Sequence, residues 1–527
     1  MTVSTLTVST LTVVPEAPAS GTAPCAEPTA PPWYATSADI RLQAAARLTQ
    51  PDFAGWLRHV RPAAGCTRPV RLVGTMATVE ATTGRILSER STADMPDGVI
   101  YKPCGNRRAA VCPTCSKLYQ RDAYQVVRAG LVGGKGVPEQ VAHHPAVFPT
   151  FTAPSFGEVH TRYVKRHTCT RRTSCDCRPE PCHPRRESTT CPHGVRLVCF
   201  ARHEDTDARL GTPLCLDCYD HDAQAVWNLS AGELWRRTTI AINRYMHRLA
   251  TARGIPNIPV TSPRTGKTRW VSPVRLSFGK AAEMQRRGVV HFHAIIRLDG
   301  RDAGDPDAIV PAPPQLDAAD LVAAVDHAAA TVGFTTADHP ARPGGWPVTW
   351  GTQVLTKVIT VAGRGEVTDA QVAAYLAKYA TKSTEVTGHA SNRLTADSID
   401  IYADPAGSHA ERLIDACWML GMPRDWRRLR RWAHMLGFGG HFLTKSRRYS
   451  ITFALLRNQR IVFRRAQSSG PQEAAAGTEP TTLVVNFLQF VGAGWHTTAD
   501  AMLANASAAM AREHEGAARE YLQTLVG

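Results

Sequence analysis

Cysteine is distributed very unevenly along this chain, and the distribution limits how the chain can fold. Twelve of the 14 cysteines lie between Cys66 and Cys218. Within that stretch, residues 160–220 are also rich in Arg, Pro and His and show little apolar periodicity. Such a segment has too few apolar side chains for a core, so we expect it to fold only around bound metal. In a cytosolic chain, clustered cysteines favour metal binding over disulfides.

Two Cys-x-x-Cys pairs predict zinc half-sites, because this spacing is fairly specific for structural Zn²⁺. The pairs are Cys112/Cys115, with Cys104 as a candidate third ligand, and Cys215/Cys218, preceded by Cys191, His193 and Cys199. We predict one or two structural Zn²⁺ ions. Further cysteines leave the ligand sets open: Cys169, Cys175, Cys177 and Cys182. The isolated cysteines are expected to be inert thiols: Cys25, Cys66 and Cys417.

Length and charge set further limits. The 527 residues allow roughly two to four domains. There are 61 Lys and Arg against 45 Asp and Glu, a net charge of +16, which favours a polyanionic partner such as nucleic acid. No secretory signal and no apolar run of about 18 residues is recognisable, so we expect a cytoplasmic protein with no membrane partner.

Hydrophobic periodicity predicts both helices and strands outside the cysteine-rich segment. Helices are expected at 37–60 with a break at Pro51, 222–253 with an interruption near Leu229, 318–331, 369–382 and 499–526. Strands are expected at 69–88, folded at Thr83-Gly84, and at 147–156, 270–279 and 289–298. This mixture predicts an α+β fold.

A histidine pair stands in the last of these strands. His291 and His293 are two residues apart and therefore share one face, with Phe292 on the other. If Gly288 marks a tight hairpin, the carboxylate of Glu283 reaches the same site. Two imidazoles and one carboxylate suit Mg²⁺ or Mn²⁺ acting on a phosphate. The alternatives are core histidines satisfied by hydrogen bonds and a solvated surface carboxylate.

Two tyrosines share a face of the helix predicted at 369–382. Tyr375 and Tyr379 are four residues apart, and each is followed three residues later by a lysine, Lys378 and Lys382. Phenol is a poor nucleophile near its usual pKa of about 10. A metal that polarises a phosphate, with a lysine that stabilises charge, makes its attack feasible. The alternative is an amphipathic helix whose tyrosines pack on the core.

A strongly basic stretch follows at 424–448. It contains eight Lys and Arg with a single Asp, and Trp426 and Trp432 stand among the arginines. Arginines for phosphates and aromatic rings for bases are a common combination for single-stranded nucleic acid. The predicted DNA-binding residues are Arg427, Arg428, Arg430, Arg431, Lys445, Arg447 and Arg448. The alternative is a solvated basic helix that buries its tryptophans.

Together these motifs resemble the HUH single-strand DNA endonucleases, and most closely the two-tyrosine rolling-circle initiators of actinomycete plasmids and integrative elements. The motifs that carry the resemblance, in family order, are Phe148-Pro-Thr-Phe-Thr-Ala-Pro154, Glu283, His291-Phe-His293 and Tyr375-Leu-Ala-Lys-Tyr379. Cys104-Gly-Asn-Arg-Arg with Cys112-Pro-Thr-Cys115, and the stretch from Gly439 to Arg448, look like those of the actinomycete group. The likeness covers about residues 100–450, and Pro149 departs from an ideal strand.

The resemblance implies a fold, an activity and partners. The fold would be an antiparallel sheet with flanking helices and a cysteine-rich zinc-binding insertion. Glu283, His291 and His293 would bind Mg²⁺ or Mn²⁺, Tyr375 would be the first nucleophile and Tyr379 the second. The activity would be origin nicking that leaves a 5′-phosphotyrosine and a 3′-OH primer. Since no P-loop is recognisable, a host helicase would be needed beside the host polymerase.

Other activities share these motifs, and the chain divides into regions under any of them. A two-tyrosine transposase or a conjugative relaxase uses the same chemistry, and a non-catalytic zinc-containing DNA-binding regulator is the competing class. The predicted regions are a disordered tail (1–35), an accessory region (36–100), the first zinc half-site with the first HUH strand and the zinc-binding insertion (101–221), the nicking domain (222–388), a basic DNA-binding region (389–465), and a linker with a C-terminal helix (466–527).

Overall fold

The computed structural model describes most of the chain. The described ranges are 37–164, 178–185, 189–261, 265–360, 367–381, 393–468 and 482–526. Several sequence-based predictions lie outside them: the tail 1–35 with Cys25, the cysteines at 169, 175 and 177, the lysine at 382, and most of the linker 466–480.

Helices and strands occur in mixed order, which confirms an α+β composition. The helices are α1 (Ser37–Leu48), α2 (Phe53–Val60), α3 (Pro113–Val132), α4 (His221–Ala252), α5 (Ala318–Thr331), α6 (Asp369–Tyr379), α7 (His409–Leu420), α8 (Arg427–Arg431), α9 (Phe453–Ser468) and α10 (Thr498–Val526). The strands are β1 (Val70–Glu80), β2 (Ile86–Ser91), β3 (Ile100–Lys102), β4 (Ala146–Phe151), β5 (Ile258–Thr261), β6 (Thr268–Val271), β7 (Val274–Met284), β8 (Val290–Gly300), β9 (Gly333–Thr335), β10 (Pro347–Thr349), β11 (Leu355–Thr360), β12 (Val367–Thr368), β13 (Leu443–Lys445) and β14 (Thr482–Ala493).

The chain forms two compact units. The smaller one combines the residues up to Arg58 with those from Trp495 onward. Within it, Arg47 of α1 donates to the buried carboxylate of Asp500 in α10 at 2.9 Å, and its guanidinium lies 4.8 Å from the ring centre of Trp56. The larger unit spans His59–Gly494.

A six-stranded sheet organises the larger unit, in the order β12-β11-β4-β8-β7-β13. Neighbouring strands are antiparallel except β11 and β12, which are parallel. Strand β4 contains Pro149, which has no amide hydrogen, and the pairing of β4 with β8 skips Phe148 and Pro149. In this strand order β8 lies inside the sheet, between β4 and β7.

The two faces of β8 have different surroundings, as period-two alternation requires. Phe292, Ala294 and Ile296 are fully buried in the large core that includes Trp227 and Leu234 of α4. Each fully buried large apolar side chain contributes roughly 1.5–3 kcal/mol. The opposite face packs on α3 and α6 in a second core, and this is the face that carries the histidine pair.

Helix α4 is continuous over its 32 residues, so the interruption expected near Leu229 was wrong. The residue before Leu229 is polar, but all of its hydrogen bonds are made with the helix intact. Asn228 is fully buried, yet its side chain donates to the carbonyls of Gly288 and Leu436 at 2.9 and 2.7 Å and accepts from the amide of Val290 at 3.0 Å. The helix is thereby fixed to the turn between β7 and β8.

The helix predicted at 499–526 is confirmed as α10, but a second sheet adds a strand before it that the interpretation of this region as linker and helix lacked. Strand β14 pairs antiparallel with β1 along its whole length, and β2 and β3 also pair with β1. The β14 sequence is rich in β-branched and aromatic residues, which was a strand signal. Among the helices described, none is both long enough and apolar enough to cross a membrane.

Candidate metal and tyrosine site

The β7–β8 hairpin brings the predicted carboxylate and histidine pair together. Glu283 stands directly opposite His291 in the strand register. The turn is closed by the amide of Gly288, which donates to the carbonyl of Gln285 at 2.9 Å, and Gly288 has the positive φ of 74° that favours glycine. The expected tight hairpin is therefore confirmed.

Three ligand atoms converge on one point at this hairpin. Glu283 Oε2 lies 2.8 Å from His291 Nε2 and 3.1 Å from His293 Nε2, and the two imidazole nitrogens are 3.0 Å apart. Burial alone would raise the pKa of Glu283, but hydrogen bonds with the two imidazoles outweigh burial and lower that pKa to about 2. Burial lowers the pKa of His293. One carboxylate beside two imidazoles is a donor set that fits a divalent cation.

The outer nitrogens of both imidazoles also have protein neighbours. The hydroxyl of Thr150 in β4 lies 3.0 Å from His293 Nδ1, and Gln285 Nε2 lies 3.1 Å from His291 Nδ1. Contacts of this kind orient metal-binding histidines and leave Nε2 free for the ion. The first-strand motif therefore contributes a positioning residue, Thr150, that the sequence interpretation did not single out.

Helix α6 places both tyrosines beside the histidine pair. Its N-terminus has a capping box, in which Thr368 and Gln371 each bond the backbone of the other. The Tyr375 hydroxyl lies 3.3 Å from His293 Nε2, and the centres of the two tyrosine rings are 4.3 Å apart. The Tyr379 ring centre is 5.5 Å from that of His293. The opposite face of α6 is buried, so neither tyrosine belongs to its packed side.

The environment of Tyr375 does not activate it by itself. Burial, followed by the neighbouring hydroxyl of Tyr379, raises its pKa. Phe148 lies edge-on to the Tyr375 ring, with ring centres 5.9 Å apart. Lys378 is exposed on the same helix, and Lys382 lies outside the described residues. A phenol in this setting needs an added positive charge before it can act as a nucleophile.

Three further groups of ligand atoms form among the Cys and His residues that the structure describes. Within each group the candidate ligand atoms lie within 4.8 Å of one another. The groups are Cys66, Cys104, Cys112 and Cys115; Cys191, His193, Cys215 and Cys218; and His160, Cys182, Cys199 and His203. We call them, in that order, the all-cysteine cluster, the one-histidine cluster and the two-histidine cluster.

These groups correct two predictions. Cys66 is not isolated, because its thiol lies 3.9 Å from that of Cys112. Cys199 does not join Cys215 and Cys218 but lies in the two-histidine cluster. The sequence interpretation missed Cys66, His160 and His203 because no local spacing links them to the Cys-x-x-Cys pairs.

The all-cysteine cluster contacts the C-terminal end of the tyrosine helix. Arg107, between Cys104 and Cys112, donates to the carbonyl of Ala380 at 3.1 Å. Its guanidinium also lies 3.8 Å from the ring centre of Phe442, and its own carbonyl accepts from Ser116 at 2.7 Å. Cys417, by contrast, belongs to none of these clusters. It is fully buried in α7, where burial raises the pKa of its thiol.

The predicted DNA-binding residues have varied surroundings. Arg427, Arg428 and Arg431 are exposed, as sites for phosphate contact would be. Three others already bond to protein groups: Arg430 to the carbonyl of Trp418, Lys445 to that of Ser450, and Arg448 to Asp307. Arg447 also pairs with Asp307, at 3.3 Å.

The two tryptophans of the basic stretch do not behave as expected. Trp426 is buried, and its indole nitrogen donates to the carbonyl of Asp338 at 3.2 Å. Trp432 is half-buried against the large core. Trp426 thus follows the alternative interpretation, in which the basic stretch buries its tryptophan.

Comparison with known proteins identifies the family. A family model described as RepSA, replication initiator protein, pSAM2, matches residues 52–509. The chain belongs to this family of replication initiators. A relative from Streptomyces ambofaciens named replication initiator protein is 36% identical over 477 residues, which cover 89% of this chain and 93% of the relative. No solved structure matches.

The matched range contains every site described above, from Cys66 in the all-cysteine cluster to Tyr379 at the end of α6. The resemblance to actinomycete replication initiators that the motifs indicated is therefore confirmed at the level of the family.

Proposed function

We propose that this chain is a rolling-circle initiator that nicks one strand of its origin through tyrosine attack, on an HUH-type core. One observation carries the proposal: the Tyr375 hydroxyl lies 3.3 Å from a nitrogen of the Glu283, His291 and His293 triad, in a member of a replication initiator family. A nucleophile next to a candidate cation site is the arrangement that phosphodiester cleavage requires. The position of β8 inside an antiparallel part of the sheet agrees with such a core.

The chemistry follows from the positions of these groups. A divalent cation held by the triad, Mg²⁺ or Mn²⁺, would polarise the scissile phosphate and stabilise the charge that develops on it. The Tyr375 oxygen would form a bond to phosphorus while the bond from phosphorus to the 3′ oxygen breaks. The phenolic proton passes to the departing 3′ oxygen, directly or through water. The products are a 5′-phosphotyrosine and a free 3′-OH that serves as a primer.

The second tyrosine extends this chemistry to strand transfer. Because Tyr379 lies one helical turn from Tyr375 and close to the same histidine, it can attack a second phosphodiester while Tyr375 is occupied. Lys378 on the same helix is proposed to stabilise the phosphate charge, as is Lys382. Termination of replication would use this second attack.

Structural Zn²⁺ is proposed for the all-cysteine and one-histidine clusters. Four ligand atoms within 4.8 Å of one another are the number that a closed tetrahedral zinc site takes. In the one-histidine cluster, His193 Nδ1 lies 3.2 Å from the Cys218 thiol, and the thiols of Cys191 and Cys215 are 3.6 Å apart. Both clusters would hold irregular segments in place.

Origin DNA is the proposed substrate, single-stranded or extruded at the nick site. The exposed arginines of α8 and its flanks would contact phosphates, which position DNA without reading its sequence. A host helicase and polymerase are proposed to act after the nick.

The deciding experiment is cleavage of a labelled single-stranded origin oligonucleotide with Mg²⁺ or Mn²⁺. Wild type would form a covalent protein–DNA adduct that chelator abolishes. Tyr375→Phe would lower adduct formation on first cleavage, Tyr379→Phe would impair transfer to a second oligonucleotide, and the double variant would form no adduct. Glu283→Gln, which keeps the side-chain shape, would lower cleavage about a thousandfold, corresponding to several kcal/mol of transition-state stabilisation.

Two other outcomes would change the assignment. Tight binding of origin DNA with no adduct under any metal would make the chain a DNA-binding regulator. Adduct formation on the ends of a mobile element or on a transfer origin, but not on a replication origin, would favour a transposase or a relaxase.

A further inference from the structure

The two-histidine cluster has the dimensions of a metal site. His160 Nδ1 lies 3.2 Å from His203 Nε2, the Cys199 thiol lies 3.5 Å from the same nitrogen, and the Cys182 thiol lies 3.8 Å from His160 Nδ1. Bond lengths of about 2.0 Å to nitrogen and about 2.3 Å to sulfur place tetrahedral zinc ligands roughly 3.3–3.8 Å apart. The separations match a closed tetrahedral site within a few tenths of an ångström.

Polar contacts around the cluster are those that support metal ligands. The Nδ1 atom of His203 lies 2.7 Å from a carboxylate oxygen of Asp207, so the opposite nitrogen faces the other ligands. The amide of Thr161 donates to the Cys182 thiol at 3.2 Å. His203 is 1% exposed, so the cluster is shielded from water on that side.

The surrounding segment has little else to hold it together. Between residues 178 and 220, the described part contains isolated bridges, such as His183 with Cys199, and neither a helix nor a strand. Its few buried residues are mostly ligands and prolines. A backbone without a ladder or an apolar core requires another source of stability, which a metal ion supplies.

The same segment contacts the turn of the β7–β8 hairpin through side-chain and backbone groups. The guanidinium of Arg286, in that turn, donates to the carbonyls of Asp205 and Asp207. The backbone of Gly211 approaches so closely that an added Cβ would lie 2.6 Å from the amide nitrogen of Arg287. Gly211 is itself bonded to the carbonyl of His160, at 2.8 Å. The ligand His203 therefore lies just before the residues that contact the turn, and the ligand His160 is bonded to Gly211 among them.

We infer that His160, Cys182, Cys199 and His203 form a third structural zinc site, which holds residues 205–211 against the hairpin turn and so positions Gln285 and the Glu283–His291 pair. The assignment of the zinc ligands does not rest on the proposed nicking function. The role of the site in positioning the hairpin rests on the proposed function only when DNA cleavage is the quantity measured.

The first test is the zinc content of the full-length protein. Zinc per chain would fall by one in Cys199→Ser, as it would in Cys112→Ser for the all-cysteine cluster. His203→Cys, which supplies another zinc ligand, would keep the wild-type content. His183→Ala is the matched control: His183 Nδ1 lies 3.0 Å from the Cys182 thiol but is not a ligand in this assignment, so the content would not change.

Cobalt substitution tests the ligand set without relying on any variant to fold. A Co²⁺ ion bound by two thiolates and two imidazoles has d–d bands at higher energy than one bound by four thiolates. The substituted wild type would show this component beside those of the other clusters, and His203→Cys would shift it. Two results would overturn the site. One is a cobalt-substituted wild type without the bands of a site with two thiolates and two imidazoles, and the other is an unchanged zinc content in Cys199→Ser.

Hydrogen exchange tests the positioning role separately from cleavage. In Cys199→Ser, amide exchange at residues 285–289 would rise at least tenfold, with no such rise in Cys112→Ser. His203→Cys would keep the protection of the wild type. Zinc loss with unchanged exchange at the turn would show a zinc site that does not position the hairpin. Intact zinc with no adduct in the wild type would instead refute the proposed nicking function and leave the zinc site standing.

Discussion

The Glu283, His291 and His293 triad and the three Cys/His clusters are assembled by different means. The triad stands on two paired strands whose register places the carboxylate opposite an imidazole, and β8 is buried in a large apolar core on its other face. The clusters stand on loops and on one helix start. Two of them lie in a segment whose described residues form no strand ladder and no apolar core.

This difference indicates what each site needs from its metal. Strand pairing and apolar packing hold the triad in place, so an ion bound there would add chemistry and little structure. In the clusters the proposed ion would replace the missing core, so it would add structure and no chemistry. Removing each class of metal should therefore have opposite consequences.

Removal of zinc is expected to have the largest effect. Structural zinc contributes roughly 10–16 kcal/mol in isolated zinc-binding peptides. Stripping it with a thiol-reactive mercurial and a zinc chelator should raise protease cleavage within residues 158–220 by at least about tenfold. Exchange into buffer without Mg²⁺ or Mn²⁺ should abolish nicking, leave the proteolysis pattern unchanged, and be reversed by adding the ion back. Proteolysis of the stripped protein that begins in β7 and β8 instead would contradict the division.

The triad, which stands on paired strands, could be predicted from the sequence better than the clusters, which stand mostly on loops. Gly288, two strands of alternating pattern and the Glu283–His291 spacing lie within about twenty residues, so local periodicity was enough to place the triad. Likewise the helix predicted at 369–382 begins at Asp369 in the structure, where Thr368 and Gln371 form a capping box. In these cases the determining interactions are between neighbours in sequence.

The clusters and the second sheet could not be predicted this way. Cys199 is 16 residues from Cys215 in the chain but belongs with His160, because the fold and not the spacing decides which ligands meet. Strand β14 pairs with β1, some four hundred residues earlier, and the sequence interpretation assigned no strand there. Ligand partition and strand pairing are long-range contacts, which periodicity does not report.

Lys280 tests whether the hairpin is stable without metal. It lies on the face of β7 opposite Glu283, with its ammonium 3.5 Å from the ring centre of Phe292. Burial lowers its pKa from 10.5 to about 7. Between those values the unfolded chain binds one proton more than the folded chain, so stability should rise with pH over this window.

Replacing Lys280 by Met should remove that slope. From pH 7 to pH 9, the wild type should gain roughly 2–3 kcal/mol of unfolding free energy relative to Lys280→Met, at about 1.36 kcal/mol per pH unit. Denaturant unfolding followed by tryptophan fluorescence measures it. The gain should be the same with and without divalent cations in the buffer. If the unfolding free energies of wild type and Lys280→Met change with pH in parallel, the buried ammonium keeps its proton. Water would then reach this face of the hairpin more than its packing indicates.

Arg107 is the point at which the two kinds of assembly meet, and it gives the smallest expected effect. Its guanidinium bonds the Ala380 carbonyl at the end of the tyrosine helix, whereas the ligands on either side of it in sequence belong to the all-cysteine cluster. A hydrogen bond from a charged group contributes about 1.5–3 kcal/mol. Only part of that loss would reach the transition state, so Arg107→Ala should slow adduct formation by about tenfold.

Three measurements separate this role from damage to the cluster or to DNA binding. Zinc content should be unchanged in Arg107→Ala, and the exposed Arg269 of β6 provides a matched control, since Arg269→Ala removes the same charge without touching α6. The apparent affinity for the oligonucleotide should also stay constant, with the loss confined to the rate of adduct formation. Loss of zinc in Arg107→Ala would mean that the arginine supports the cluster itself. An equal loss of rate in Arg269→Ala would mean that net charge, and not the position of the tyrosine helix, sets the rate.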